Sequence, residues 1–195
     1  MNILVLTLTA ALFLAAESGG ARPPPHGNFA ATARYVLHNN GWGSLASTST
    51  HPPIQGKPYV DTFSVSDGPV GNSTGVPYLF FSPLERTVQD LQADPFATLL
   101  VSEVQSGYCA SVKWDPEDPR CAKVHLSGNV VPVPEDETDF AMKSLFSRHP
   151  IMAEWYKMPD HKFYFAKMEI EDVFVLDFFG GGQSVSLEDY FKANP

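Results

Sequence analysis

Positive charge is scarce in this sequence. Thirteen Lys and Arg stand against 22 Asp and Glu in 195 residues, a formal net charge of −9 with histidines neutral. A phosphate-backbone binder carries a basic patch, so this balance argues against nucleic acid as a partner. Long apolar runs are absent after the first twenty residues, where nothing approaches the ~20 residues of a membrane span. Cysteine is limited to Cys109 and Cys121, whose spacing suits neither a redox Cys-x-x-Cys nor a four-ligand zinc cluster. The histidines (His26, His38, His51, His125, His149 and His161) have no second ligand at i+2 or i+4, so no local metal motif exists. No internal repeat and no linker divides the chain, and one domain is expected. What is abundant is proline, 17 of 195 residues, about 9% against a typical ~5%. With 14 glycines and 12% aromatics, this composition means short elements joined by many turns.

Residues 3–16 are almost unbroken apolar sequence, followed by Ala16-Glu17-Ser18 with small residues where a signal peptidase reads. This reads as a secretory signal over 1–20, cleaved near Ser18 to Ala21, although the n-region lacks Lys and Arg. The alternative is a buried N-terminal helix, which Arg22-Pro23-Pro24-Pro25 opposes. Loss of Glu17 leaves 13 − 21 = −8 on the mature chain. Residues 21–29 are expected to be a Pro-rich disordered tail, with the folded domain at 30–195.

In an oxidising lumen, two cysteines with eleven residues between them favour a disulfide, stabilising by roughly 3 kcal/mol, over two free buried thiols. The loop it would close contains Trp114-Asp115-Pro116, a candidate recognition surface at Trp114 and Asp115.

Periodicity predicts a helix from Asn28, as cap, to about Asn40, with Gly41 as its stop. Strands are predicted at 42–48, 59–66, 77–82, 97–104, 122–133, 163–170 and 173–179. Between them come a helix opening at Pro83, with Leu84, Val88 and Leu91 on one stripe, and another over 135–149. Ser186-Leu187-Glu188-Asp189 is a capping-box start for a terminal helix. The pattern lacks strict βαβ units and fits an α+β arrangement, an antiparallel barrel or strongly curved sheet with peripheral helices.

Catalytic motifs fail on context. Gly71-Asn72-Ser73-Thr74-Gly75 matches the G-x-S-x-G of a hydrolase elbow, which needs a strand before the serine and a helix after it. Here a Pro-containing loop precedes and a strand follows, and the same residues make Asn72 an N-glycosylation acceptor. Gly41-Trp42-Gly43-Ser44-Leu45-Ala46 opens a strand, so no helix N-terminus receives a pyrophosphate. Gly180-Gly181-Gly182 reads as a turn after a strand.

A series of blocks in order resembles the CREG (cellular repressor) family. They are Trp42-Gly43-Ser44-Leu45-Ala46-Ser47-Thr48, Ser66-Asp67-Gly68-Pro69, Gly75-Val76-Pro77-Tyr78 with Ser82-Pro83-Leu84, and Asp94-Pro95-Phe96-Ala97-Thr98-Leu99. Asp115-Pro116 before Cys121, Leu126-Ser127-Gly128, Leu145-Phe146-Ser147-Arg148-His149-Pro150 and Val175-Leu176-Asp177-Phe178-Phe179-Gly180-Gly181 follow. The resemblance implies the antiparallel split β-barrel of FMN-binding, pyridoxamine-phosphate-oxidase-like proteins. It further implies a secreted or lysosomal homodimeric glycoprotein without catalytic turnover, regulating growth and differentiation through partner or receptor binding. Delivery in the family runs through receptors of the mannose-6-phosphate type, but the single acceptor here, Asn72, departs from the family's C-terminal placement.

No flavin is expected. Flavin-binding relatives follow the central strand with Ser-x-Leu and a helix whose early cations hold the phosphate. Here Ser82 and Leu84 remain, Arg86 is the one nearby cation, and Thr87 stands where related enzymes often have His. The competing reading is an FMN-dependent oxidoreductase with Ser82, Arg86 and Arg148 as phosphate contacts. Direct transcriptional repression is opposed by both the leader and the charge of −8.

Overall fold

The computed structural model describes residues 22–195, so the expected signal peptide lies outside the described residues. Six strands close into an antiparallel barrel: β1 (Trp42–Thr48), β2 (Pro58–Ser66), β3 (Tyr78–Phe81), β4 (Phe96–Ser102), β5 (Lys123–Pro132) and β6 (Tyr164–Leu176). Their order is β3-β2-β1-β4-β5-β6, and β3 pairs with β6 to seal the ring; β7 (Gln183–Val185) adds to the far end of β6. Alternation drives this arrangement. Leu45, Phe63, Val65, Leu99, Val101, Val124, Leu126, Val173 and Val175 turn inward into one core, while their strand neighbours face out. The apolar β3 is buried on both faces. Its outward side is covered by α4 (Thr138–Arg148) and the single turn α5 (Met152–Trp155), through Phe80, Leu145, Met152 and Phe165.

The two strands expected at 163–170 and 173–179 are one. At Glu171-Asp172 the register against β5 slips between Ser127 and Gly128, a β-bulge that bends the strand without ending it. The bend lets the first part of β6 pair with β3 and the last part with β7. Gly128 is needed there, because a Cβ would stand 2.0 Å from the Glu169 carbonyl oxygen.

α1 (Phe29–His38) packs its stripe of Ala33, Val36 and Leu37 on the barrel. Asn28 occupies the cap position but its side chain makes no cap bond. At the other end, Asn39 and Asn40 do what was expected of Gly41, donating side-chain amides to the Tyr35 and Val36 carbonyls. The helix expected from Pro83 starts three residues later: α2 runs Arg86–Ala93, because 82–85 form a turn with Glu85 extended. Leu84 is consequently exposed rather than on the buried stripe. The 135–149 prediction divides into a 3-10 turn, Glu135–Glu137, and α4. Two single turns, α3 (Tyr108–Ser111) and α5, carry no sequence signal long enough to read. Ser186 does cap α6 (Leu187–Lys192), its hydroxyl accepting from Asp189 N at 3.1 Å.

The tail expected to be disordered is packed over its described part. Gly27 N donates to Asp177 Oδ1 at 3.2 Å, and the His26 ring lies 5.1 Å from that of Phe178. Pro23, Pro24 and Pro25, together with Thr32, Glu103 and Tyr108, line a small cavity of about 90 Å³.

Candidate functional site

The loop 67–76 between β2 and β3 encloses a polar buried centre. Asp67 has no exposed surface, and its Oδ1 lies 2.6 Å from His38 Nδ1, an interaction that α1 and the end of β2 bring together. Ser73 donates its hydroxyl to Asp67 Oδ2, Gly75 N approaches at 3.4 Å, and Arg148 Nη2 stands 3.9 Å away. Arg148 also donates from Nε to the Gly68 carbonyl at 2.9 Å. Burial pulls its guanidinium below the ordinary arginine range, and Asp67 opposes that. Beside this centre, the buried Arg34 donates to the Tyr190 and Ala193 carbonyls at 3.3 and 2.8 Å and to Ser73. Gly75, at φ +80°, leaves room for it; a Cβ would meet Arg34 Nε at 2.8 Å.

Ser, His and Asp are thus neighbours, yet the connectivity is wrong for hydrolysis. Nucleophile activation needs the serine hydroxyl bonded to the imidazole, with the carboxylate on the imidazole's far side. Here Asp67 sits in the middle and takes both, and β3, not a helix, follows Ser73. The G-x-S-x-G match is a structural loop, with Asn72 exposed on it. In the sequence Ser66-Asp67-Gly68-Pro69 stands only as a block of the resemblance; nothing local marks Asp67 as the centre of a buried ion pair.

The three residues considered for a flavin phosphate do not converge within one chain. Ser82 donates its hydroxyl to the His161 carbonyl at 2.7 Å. Arg86 Nη2 donates to Ser49 Oγ at 3.0 Å, and its guanidinium stacks 4.7 Å over the Tyr59 ring. Arg148 belongs to the Asp67 centre at the opposite end of β2, seven residues or about 23 Å of strand from Tyr59. Around α2, Ser47 Oγ, His51 Nε2, Arg86 Nε, Thr87 Oγ1 and Asp90 Oδ2 are buried without a hydrogen-bond partner. Donors are therefore present, but the fully buried Asp90, already accepting from Thr50 N and Oγ1, sits among them. A dianionic phosphate placed there would face a carboxylate, so this residue set does not fit one.

Cys109 and Cys121 are bonded, with Cα atoms 5.6 Å apart. The loop they close is braced from within. Trp114 is half-buried, its ring 4.6 Å under the Arg120 guanidinium and 6.0 Å from both Tyr108 and His26. Asp115 is exposed, and its side chain accepts from the Glu117 amide at 2.8 Å. Phe178 and Phe179, both exposed at the Gly180-Gly181 turn, continue the aromatic surface through His26. Below the disulfide the buried Glu103 accepts from Ala122 N at 2.9 Å, and burial, with a smaller push from Asp177, raises its carboxyl above the usual 4.5.

A raised carboxyl favours folding when protonated. Its contribution is complete below about pH 4.5 and fades as pH rises through the raised value. Glu103→Gln, which keeps the acceptor and never ionises, is therefore expected to gain stability over the natural chain at pH 7 and lose that advantage towards pH 4.5. Paired thermal melts at the two pH values read this directly, and an equal difference at both would contradict it.

The outward face of the barrel over β2, β1, β4 and β5 carries Val60, Thr62, Ser64, Trp42, Ser44, Ala46, Phe96, Thr98, Leu100, His125, Ser127 and Asn129 in register. The β5 row continues to one ammonium, Lys123, opposite Ser102. Burial pushes the His125 imidazole down, favouring its neutral form. Among the described residues, no cluster of three His, Cys, Asp or Glu is placed to hold a metal, and no helix is long and apolar enough to cross a membrane.

Comparison with known proteins matches the family described as "CREG, beta-barrel" over residues 24–192. The chain is 41% identical to Protein CREG1 of Gallus gallus over 195 residues, covering 99% of this chain and all of that one. With Protein CREG1 of Mus musculus it shares 45% over 169 residues, 87% of this chain and 76% of the relative. Among solved structures it resembles a heme binding protein from Mycobacterium smegmatis, with a TM-score of 0.66 and 20% identity over 89% of this chain and 62% of that one. A Clostridium acetobutylicum protein described as of the pyridoxinephosphate oxidase family gives a TM-score of 0.56 at 10% identity, covering 83% and 96%. At these identities the likeness is one of fold, the split β-barrel with peripheral helices.

Proposed function

The chain belongs to the CREG β-barrel family, and on that premise we propose that it is a secreted or lysosomal glycoprotein without catalytic turnover, regulating growth and differentiation by binding a partner or receptor. One observation carries the absence of turnover: the four side chains weighed as a nucleophile or phosphate contacts are already engaged. Ser73 is held by Asp67, Ser82 by a carbonyl, Arg86 by Ser49 and Tyr59, and Arg148 by Gly68. The apolar leader, the Cys109–Cys121 bond and the exposed acceptor Asn72 support passage through an oxidising secretory route. A glycan at Asn72 would be the handle for a mannose-6-phosphate-type sorting receptor. The barrel face, with Lys123 at its edge as the one charge of these rows, supports a homodimer, since charged residues are depleted at interface cores. The competing reading, an FMN-dependent oxidoreductase, draws on the fold and on the unpartnered donors near α2.

Partner recognition is assigned to the braced loop, with Asp115 as the contact that can be removed cleanly. Trp114→Ala is expected to cost about 1 kcal/mol of stability through the lost Arg120 stacking, whereas the exposed Asp115 carries no tertiary contact. Asp115→Ala should therefore melt like the natural chain yet bind target cells about tenfold more weakly, as for one interface hot spot. The same secreted preparation should be colourless and carry sugar at Asn72. Unchanged cell binding by folded Asp115→Ala would count against the loop; flavin released on denaturation would replace the whole reading with the oxidoreductase.

A further inference from the structure

A cavity of about 310 Å³ opens between α2 and the barrel wall. Its floor is the buried core itself, Phe81, Val88, Leu91, Val130 and Ala166, and its remaining apolar wall includes Val131. Tyr164 and Gln92 are the two polar side chains of the lining, and Gln92 partly offsets the upward push on the Tyr164 phenol. None of Ser82, Arg86 and Arg148 lines it, so it is separate from the residues weighed for a phosphate.

We propose that this cavity is a binding site for a small neutral molecule, a two-ring apolar body carrying one hydrogen-bonding group. Three observations set that chemistry. An apolar cavity of ~150 Å³ holds benzene, so about twice that volume holds two fused rings. The Tyr164–Gln92 pair offers a single polar anchor in an otherwise apolar wall, the usual division of labour in a ligand pocket. Charge is selected against: Glu85 faces Tyr164 closely enough that its carboxylate, after burial, pushes the phenol upward, and an anion there would meet the same repulsion. The apolar floor gives no counter-charge to a buried ion. This site goes beyond the partner-binding role and does not depend on it.

The test uses the full secreted chain with 2-naphthol as probe and 2-naphthalenesulfonate as its anionic counterpart, titrated by calorimetry. 2-Naphthol should bind at one site with a Kd on the order of 0.1 mM. Val131→Phe, which fills the cavity, and Gln92→Trp, which blocks its mouth from an exposed position on α2, should each weaken it at least tenfold. The sulfonate should bind at least tenfold more weakly than the naphthol and recover in Glu85→Gln. No saturation below about 1 mM, or unchanged binding in Gln92→Trp of native melting temperature, would overturn the site. Should Val131→Phe fail to fold, Gln92→Trp alone decides. Sulfonate binding equal to that of the naphthol would overturn the neutral class.

Discussion

Asp67→Ala is expected to destabilise the protein by about 3–5 kcal/mol, the range for removing one partner of a buried ion pair. The carboxylate has no exposed surface and answers four groups: His38 Nδ1, the Ser73 hydroxyl, Gly75 N and the more distant Arg148. Deleting it leaves the Arg148 guanidinium buried beside His38 with no opposing charge, and the donors of the 67–76 loop without an acceptor. The damage spreads, because Ser73 also receives Arg34, which ties the C-terminal Tyr190 and Ala193 carbonyls to the same loop. Guanidinium titration should show the midpoint falling, with a melting temperature lower by roughly 10 °C for a domain of this size. Ser73→Ala, losing one hydroxyl, should cost only about 1 kcal/mol. A loss below about 1 kcal/mol for Asp67→Ala would mean that water or a rearranged loop replaces the carboxylate and that the centre is not structural.

The second large effect belongs to the disulfide. The paired change Cys109→Ser with Cys121→Ser opens a loop of twelve-residue separation and is expected to cost about 3 kcal/mol. Pairing the substitutions avoids leaving a reactive thiol. The loss should be felt first within 109–121, where short turns such as Asp115–Asp118 and Asp118–Cys121 supply little that would survive alone. Limited proteolysis should nick this loop in the variant while the barrel stays whole. Equal denaturation midpoints for oxidised and reduced protein would show that the Trp114 packing alone holds the loop.

Local signals were legible wherever neighbours in the chain decide the outcome. Strand 42–48 has the same bounds in sequence and structure, because Gly43, Leu45 and Ser47 alternate with outward residues. The run Tyr78-Leu79-Phe80-Phe81 announced a strand buried on both faces, and Ser186 announced its helix. Where a local rule had a competitor, the reading slipped. Glu171-Asp172 looks like a strand end but is a bulge held open by Gly128 across the ladder. Pro83 looks like a helix start but heads a turn, and Leu84 is left in solvent. The prolines at 23–25 looked like the mark of a free tail, yet Asp177, some 150 residues away, captures Gly27.

The candidate site divides the same way. By itself, the sequence determined the family through ordered blocks, a barrel-forming alternation, two cysteines able to pair, one glycan acceptor and the thin supply of cations. Only the tertiary structure decided which charges are engaged. Arg148 and Arg86 look equally available in the chain, but one is committed to Gly68 beside Asp67 and the other lies over Tyr59. Closure of β3 on β6 and the seating of α1 on the barrel create those pairings across separations of tens to more than a hundred residues. Hydrophobic periodicity says which face a side chain takes; it carries no record of what will stand opposite. That partner is fixed when the ring of strands closes, and with it whether a polar group is free to act.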